Sequence, residues 1–171
     1  MSSNTKNLSE SITAIPNVSD VKIGIITAEW NHPITFSMRD ACTEELKKYG
    51  VRESDITQLL VPGAFELPTS AKILLSYQKM DAVICIGCVI KGETKHDEYI
   101  SNAVASGIMQ LSIASGKPVI FGVLTPNDQQ QAEDRAGGKH GNKGIEAAHT
   151  ALKMLHLAKE IKKVSKGKIG F

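Results

Sequence analysis

The sequence alternates short, almost wholly apolar runs with longer stretches in which apolar residues recur every three or four positions. The apolar runs cover residues 21–27, 56–61, 82–90 and 119–124, and each has the length of a buried strand. Strands that alternate with helices form a parallel sheet covered by helices on both faces. The pattern therefore predicts an α/β fold with four parallel strands between two helical layers.

Five stretches between and after these runs have the period of an α-helix. They cover residues 33–49, a segment from about residue 67, and residues 97–115, 128–136 and 145–163. The first places one apolar face toward the sheet, formed by Ile34, Met38, Cys42, Leu46 and Tyr49. The third carries an apolar stripe formed by Ile100, Val104, Ile108 and Leu111. Small residues around Gly107 also predict a close helix contact there.

Length and composition predict one domain with a sizeable core. The chain has 171 residues, of which 42% are hydrophobic. Residues 1–20 are rich in Ser, Asn and Thr and are predicted to form a flexible arm. We assign residues 21–160 to the domain and residues 161–171 to a basic tail.

The net charge of +2 is concentrated at the C-terminal end, where the segment from Lys159 to Phe171 holds five Lys and one Glu. The rest of the chain is slightly acidic, so we expect no nucleic-acid partner. No apolar run approaches the roughly 18 residues of a membrane span, and no signal-peptide pattern is present. We therefore expect no membrane partner and a cytoplasmic location.

Cys85 and Cys88 have the C-x-x-C spacing of redox and zinc sites. Both lie in the apolar run 82–90, and residues three apart on a strand point to opposite faces. A shared disulfide or metal is therefore disfavoured, and the sequence supplies no second pair of ligands. Together with Cys42, these residues predict free thiols in a reducing compartment.

Polar residues follow the end of every predicted strand. The four segments are Ala28-Glu-Trp-Asn31, Pro62-Gly-Ala-Phe-Glu-Leu-Pro68, Lys91-Gly-Glu-Thr-Lys-His-Asp-Glu98 and Thr125-Pro-Asn127, with Arg135 beyond the last. Carboxyl ends of parallel strands meet at one edge of the sheet, where such folds bind ligands. The four loops therefore predict one pocket.

Two of these loops suit a flat, hydroxylated ligand. Trp30, the single tryptophan, either stacks on a heterocycle or packs as a rim residue against the next helix. Gly63 allows the backbone to approach a ligand. Glu66 either binds hydroxyl groups or caps the following helix, and the two roles are compatible.

The loop after the third strand suits phosphate binding and proton transfer. Free amides at the helix start, together with Thr94, suit a phosphate. Arg135 would be a second anchor unless it pairs with a carboxylate of its own helix. His96 is either a polar surface residue or a proton shuttle, because its pKa lies near neutrality. His96 and Glu98 supply too few ligands for a metal, so we expect no metal site.

The Gly-rich segment 137–144 is a further candidate for cradling a phosphate. It lacks the order of a P-loop, and no Gly-x-Gly-x-x-Gly follows the first strand, so dinucleotide binding is not expected. A receiver-type signalling domain is also disfavoured. Glu29 has no second carboxylate beside it, and the third strand ends at Lys91 rather than at an Asp.

Three segments, in this order, resemble motifs of the lumazine synthase family. They are Pro62-Gly-Ala-Phe-Glu-Leu-Pro68, Gly87-Cys-Val-Ile-Lys-Gly-Glu-Thr-Lys-His-Asp-Glu-Tyr99 and Arg135-Ala-Gly-Gly-Lys-His-Gly-Asn-Lys-Gly144. The resemblance covers about residues 21–159. It implies a flavodoxin-like three-layer α/β/α domain and a cofactor-free transferase of riboflavin biosynthesis. Such an enzyme condenses 5-amino-6-(D-ribitylamino)uracil with 3,4-dihydroxy-2-butanone 4-phosphate to give 6,7-dimethyl-8-ribityllumazine.

The resemblance also implies roles for site residues. The pyrimidine and its ribityl chain would contact Trp30, Ala64, Phe65, Glu66, Cys88, Val89, Ile90 and, from a neighbouring subunit, Phe121. The sugar phosphate would contact Glu93, Thr94 and Arg135. His96 matches the family's proton donor, and Lys143 and Glu146 match a supporting charged pair.

The resemblance further implies an assembly. It predicts homopentamers with active sites between subunits, and association with riboflavin synthase as a further partner. The short segment 137–144 is similar to that of members that form icosahedral 60-subunit shells. Asp97 departs from the family, which usually has an aromatic residue after the histidine, and this departure bears on the orientation of His96. Two rival functions remain open: flavin binding without turnover, and a structural shell without catalysis.

Overall fold

The computed structural model describes residues 16–167. Its central sheet has four parallel strands in the order β2-β1-β3-β4, and these are β1 (Ile23–Ala28), β2 (Ile56–Val61), β3 (Ala82–Cys88) and β4 (Val119–Leu124). Most of the arm predicted for residues 1–20, and the end of the predicted tail, lie outside the described residues.

Five helices surround the sheet: α1 (His32–Lys48), α2 (Leu67–Tyr77), α3 (His96–Ser115), α4 (Gln129–Arg135) and α5 (Lys143–Gly167). Two separate cores show the layering: α1 and α5 pack on one face of the sheet, and α2 and α3 pack on the other. The predicted three-layer α/β/α fold is confirmed. None of the helices within residues 16–167 combines the length and apolar composition needed to cross a membrane.

Burial follows the predicted faces. All six residues of β1 are buried, because the strand is central and both faces of the sheet are covered. On α1, the buried side chains include Ile34, Met38, Cys42 and Leu46. The predicted close contact of α3 is also present, since a Cβ on Gly107 would lie 3.0 Å from Cβ of Pro68 at the start of α2.

The three cysteines are free and buried. Cys85 faces the core under α2 and α3, whereas Cys88 faces the core under α1 and α5, so the predicted opposite orientation is confirmed. Desolvation by burial raises the pKa of the Cys85 thiol to about 12 and also raises the pKa of Cys42. These thiols stay protonated at neutral pH, which disfavours nucleophilic or redox roles.

Two elements end two or more residues away from the predicted position. β3 stops at Cys88 rather than at residue 90, because its pairing with β4 ends at Cys88 and Leu124. α5 continues to Gly167 rather than to residue 163. The basic tail assigned from residue 161 therefore begins inside this helix.

The Gly-rich segment forms a small antiparallel hairpin of β5 (Ala136–Gly138) and β6 (Gly141–Asn142). A Cβ on Gly138 would lie 2.8 Å from Cα of Asp134. A Cβ on Gly144 would overlap the backbone carbonyl of Met38 on α1. These two glycines are thus required by close backbone packing, which accounts for them without a bound phosphate.

Candidate active site

A cavity of about 940 Å³ lies at the carboxyl ends of β1, β2 and β3. Loops after parallel strands meet at this edge, as the sequence predicted. Among the residues that line the cavity are the predicted site residues Trp30, Ala64, Phe65, Glu66, Cys88, Val89, Ile90, Thr94 and His96. The structure thus brings the predicted ring site and the predicted proton donor together.

Trp30 lies in the turn between β1 and α1, and its side chain is 74% exposed at the cavity. The turn is fixed to the neighbouring strand, because the amides of Glu29 and Trp30 donate to the carbonyls of Val61 and Pro62 at 2.8 and 3.2 Å. A side chain this exposed is not packed against α1, so the rim-packing alternative is not supported. The indole can present its face to a planar ligand.

Glu66 ends a short 3-10 turn, Ala64–Glu66, and stands at the N-cap position of α2. Its side chain makes no capping hydrogen bond, so the capping alternative is not supported. Instead, the carboxylate lies over Gly63, where an added Cβ would be 3.2 Å from Oε2. This places an exposed hydrogen-bond acceptor on the cavity wall beside the exposed ring of Phe65.

The backbone beyond β3 presents polar groups to the cavity. The amides of Val89 and Lys91 donate to the carbonyls of Leu124 and Pro126 at 2.8 and 2.9 Å, on the side of β4. Successive residues of an extended chain direct their backbone groups to alternate sides. The backbone groups of Cys88 and Ile90 therefore point to the side of β1, which has already ended, and they form a hydrogen-bonding edge there.

The loop between β3 and α3 places Thr94 and His96 on the same cavity. His96 is the first residue of α3, and its amide lies 3.4 Å from Oγ1 of Thr94. The N-cap residue, Lys95, provides no side-chain cap, so the helix start retains donors that suit an anion. Glu93 is exposed in this loop but does not line the cavity.

Asp97 lines the cavity beside His96, and Oδ1 of its carboxylate lies 3.4 Å from the amide of Gly92. The side chain therefore turns back toward its own loop. The residue that departs from the family pattern is thus part of the cavity wall, next to the candidate proton donor.

Arg135, at the end of α4, belongs to a different surface. Its Nη2 donates to both carboxylate oxygens of Glu146, at 3.1 and 3.3 Å, and Nζ of Lys143 lies 3.1 Å from the same carboxylate. The predicted pair of Lys143 and Glu146 is therefore in contact, and Glu146 lies between two cations. Nη1 of Arg135 is buried and has no hydrogen-bond partner within residues 16–167.

The alternative pairing of Arg135 with a carboxylate of its own helix is wrong. Asp134 instead binds Lys139 at 3.0 Å, and this contact holds the pKa of Asp134 below its ordinary value. Glu133 accepts a hydrogen bond from Gln129. Arg135 pairs with Glu146 of α5 rather than with a carboxylate of its own helix.

A second cavity, of about 480 Å³, lies across the edge strand β4 between α3 and α5. Phe121, Lys143 and Glu146 line it, together with apolar side chains of α3 such as Met109. Within the described chain, neither Phe121 nor Arg135 lines the first cavity. One subunit therefore carries the predicted ring site and the predicted arginine anchor on separate surfaces.

Asn31 is the cavity residue with the least expected geometry. It adopts a left-handed backbone conformation, with φ 59° and ψ 40°, and its side chain donates to the carbonyl of Cys88 at 2.9 Å. The sequence places an Asn after the first strand but gives no sign of this contact, because the two residues lie 57 positions apart.

Comparison with known proteins gives matches over nearly the whole chain. The sequence profile of the family described as 6,7-dimethyl-8-ribityllumazine synthase matches residues 20–159. A protein of that name from Cytophaga hutchinsonii is 53% identical, over 91% of this chain and 98% of its own. Proteins of the same name from Porphyromonas gingivalis and Parabacteroides distasonis are 49% and 45% identical, over 84% and 90% of this chain and 89% and 96% of their own.

Proposed function

Because this chain belongs to the 6,7-dimethyl-8-ribityllumazine synthase family, we propose that the cavity at the ends of β1, β2 and β3 is its pyrimidine site. The chain is a transferase of riboflavin biosynthesis that acts on small molecules. It condenses 5-amino-6-(D-ribitylamino)uracil with 3,4-dihydroxy-2-butanone 4-phosphate. The products are 6,7-dimethyl-8-ribityllumazine, phosphate and water.

In this proposal the pyrimidine lies between an aromatic face and a backbone edge. Trp30 stacks on the ring, which its exposure at the cavity supports. The backbone groups of Cys88 and Ile90 bind the polar edge of the ring, with Val89 between them. Glu66 accepts hydrogen bonds from hydroxyl groups of the ribityl chain, which its position over Gly63 supports.

The sugar phosphate binds where the two surfaces of different subunits meet. Thr94 and the uncapped start of α3 supply neutral donors from one subunit. Arg135 of the partner subunit supplies charge, because a guanidinium offers a phosphate several aimed donors. Glu146 fixes the guanidinium and Lys143 in place. Glu93 would reach the sugar phosphate by a movement of its exposed loop.

The contact between subunits is heterologous, because each chain offers the ring site on one surface and the arginine on another. Contacts of this kind close into rings when the rotation permits. Exposed apolar side chains on the second surface, including Phe121, Met109 and Ile113, support a covered interface there. We propose a homopentamer, with a 60-subunit shell and binding of riboflavin synthase as further predictions.

The chemistry requires positioning and proton transfer. The 5-amino group of the pyrimidine attacks the ketone, and the resulting carbinolamine loses water to form an imine. Loss of the C3 proton with cleavage of the bond between C4 and the phosphate oxygen then gives an enol, which tautomerises to a new ketone at C3. Attack of the ribitylamino nitrogen on this ketone closes the ring with loss of a second water. His96 delivers and removes protons in these steps, and Arg135 offsets charge on the departing phosphate. Holding both reactive substrates together supplies much of the acceleration.

A single observation carries this proposal: one cavity places an exposed tryptophan, a backbone edge, a carboxylate and a histidine around the same space. The test mixes both substrates with the protein and follows lumazine absorbance and phosphate release together. We expect both signals to rise in step. Tight binding of a flavin with no turnover would favour a carrier, and an assembled particle with no turnover would favour a structural shell. The free thiols suit the cytoplasmic location that we propose.

A further inference from the structure

Asn31 occupies the N-cap position of α1, but its side chain does not cap the helix. An Asn at an N-cap normally accepts a hydrogen bond from an amide of the first turn. Here the first turn is closed on the carbonyl of Asn31, which accepts from the amides of Ile34 and Thr35 at 2.9 and 3.1 Å and from Oγ1 of Thr35 at 3.5 Å. The side-chain amide is therefore available for another contact.

That contact crosses from the turn after β1 to the end of β3. Nδ2 of Asn31 donates to the carbonyl of Cys88 at 2.9 Å. The left-handed backbone of Asn31 directs the side chain across the gap left where β1 ends, and Asn tolerates this conformation better than most residues. Thr35 also stabilises the turn, because its Oγ1 donates to the carbonyl of Ala28 at 2.8 Å.

The Asn31 contact connects two walls of the cavity. Trp30 is the residue directly before Asn31, and Cys88 begins the backbone edge that continues to Ile90. The amides of Glu29 and Trp30 in the same turn donate to the carbonyls of Val61 and Pro62, at the end of β2 on the other side of β1. Among the hydrogen bonds of the described chain, only that of Asn31 ties the tryptophan turn to the backbone edge beyond β3.

We propose that Asn31 is a positioning residue that sets the gap between the Trp30 ring and the backbone edge of Cys88–Ile90. This inference rests on the proposed function, in which the pyrimidine occupies that gap. Without the side-chain amide, the turn stays bound to β2 but moves independently of β3. The stacking face and the hydrogen-bonding edge then no longer hold a fixed separation, which weakens pyrimidine binding more than sugar-phosphate binding.

The experiment uses two variants of the full chain and one matched control. Asn31→Gly keeps the left-handed backbone and removes the amide. Asn31→Asp keeps the shape and replaces the donor with a carboxylate that faces the Cys88 carbonyl. The control is Asp20→Gly, because Asp20 is also a non-glycine residue with positive φ, at 58°, and does not line the cavity.

Two readouts separate positioning from general damage. The chain has one tryptophan, so its fluorescence anisotropy without substrate reports Trp30 alone. Steady-state kinetics give KM separately for the pyrimidine and for the sugar phosphate. We expect Asn31→Gly to lower the anisotropy and to raise the pyrimidine KM about three- to tenfold, the usual effect of one hydrogen bond. The sugar-phosphate KM should stay within about twofold, and Asp20→Gly should match the parent in every readout.

Two other outcomes of the measurements on Asn31→Gly overturn the proposal. Unchanged anisotropy with a raised pyrimidine KM would show that Asn31 acts by touching the substrate. Parental values of both would show that the contact to Cys88 has no positioning effect. If Asn31→Asp fails to fold, Asn31→Gly decides alone. If the parent does not turn over the two substrates, the proposed function fails, while the anisotropy of the substrate-free variants still decides whether Asn31 holds Trp30.

Discussion

At the residue scale, the partners of the polar side chains assign them to different tasks. Glu146 contacts both Arg135 and Lys143, an arrangement that suits the proposed role of orienting two cations. Glu66 makes no capping bond and faces the cavity. His96 lies at a helix start on the same cavity, where a proton donor can reach a bound ring. These placements make the roles of single residues testable.

Replacing His96 with Ala should slow turnover by roughly ten- to a thousandfold, the usual share of one acid–base group. The decrease should fall on kcat, because binding of the ring depends on other residues. Steady-state assays of lumazine formation measure it. His156→Ala is the matched control, since His156 is exposed on α5 and away from the cavity. Turnover equal to that of the parent would remove His96 from the mechanism.

Replacing Arg135 with Ala should raise KM for the sugar phosphate about ten- to a hundredfold, from the loss of charged hydrogen bonds to its phosphate. The KM for the pyrimidine should change much less, because Arg135 is not near the ring site of its own chain. Arg52→Ala serves as the control, since Arg52 pairs with Asp55 on an exposed surface. Equal sugar-phosphate affinity in the variant and the parent would count against the assignment.

At the scale of elements, the site forms at the carboxyl edge of the sheet, where β1 and β2 end level with each other and β3 and β4 extend further. β1 stops before β3 does, and the extended chain from Cys88 to Ile90 continues past it. On the side of β1, the carbonyl of Cys88 accepts from Asn31, and the backbone groups of Ile90 face the cavity. The hairpin of β5 and β6 then connects α4 to α5, so that Arg135 and Glu146 come into contact.

The packing of α5 on α1 should depend on Gly144. Gly144→Ala should lower the free energy of unfolding by about 3 kcal/mol, because the new methyl group overlaps the backbone of Met38. Urea unfolding measures the loss. Gly92→Ala is the control, since a Cβ there meets nothing within 4 Å, and its stability should change by about 0.5 kcal/mol or less. A fully stable Gly144→Ala protein would show that α1 and α5 can separate without cost.

At the scale of the whole molecule, one subunit carries two incomplete halves of the proposed site. Trp30 and His96 line one cavity, whereas Phe121 lines the other and Arg135 contacts the Glu146 that lines it. In the proposed assembly, function depends on the contact between subunits, because a neighbour must bring its second surface to the first. The same logic allows inactive subunits to complement each other.

Mixing His96→Ala and Arg135→Ala subunits, after joint unfolding and refolding, should restore activity. In a ring of randomly mixed subunits, about a quarter of the sites between neighbours then contain both native residues. Assaying the mixture against each variant refolded alone measures the gain, and size-exclusion chromatography confirms that assembly is equal. A mixture no more active than its components would show that each site is built within one chain.

The sequence by itself determined the layers of this protein and the loops that carry its chemistry. Periodicity reports which side chains are buried, so it predicted the four strands, the faces of α1 and α3, and the opposite orientation of Cys85 and Cys88. It also placed Trp30, Glu66 and His96 after strand ends, where parallel sheets bind ligands.

Only the tertiary structure decided how the site residues are partnered. The periodicity of apolar residues does not predict contacts between residues far apart in the sequence, such as Asn31 with Cys88 or Arg135 with Glu146. Periodicity also could not show that Gly138 and Gly144 are needed for close backbone packing. A glycine in a loop has the same sequence pattern whether a ligand or another part of the chain approaches it. These features depend on which elements meet in space, and the division of the site between two surfaces follows from the same packing.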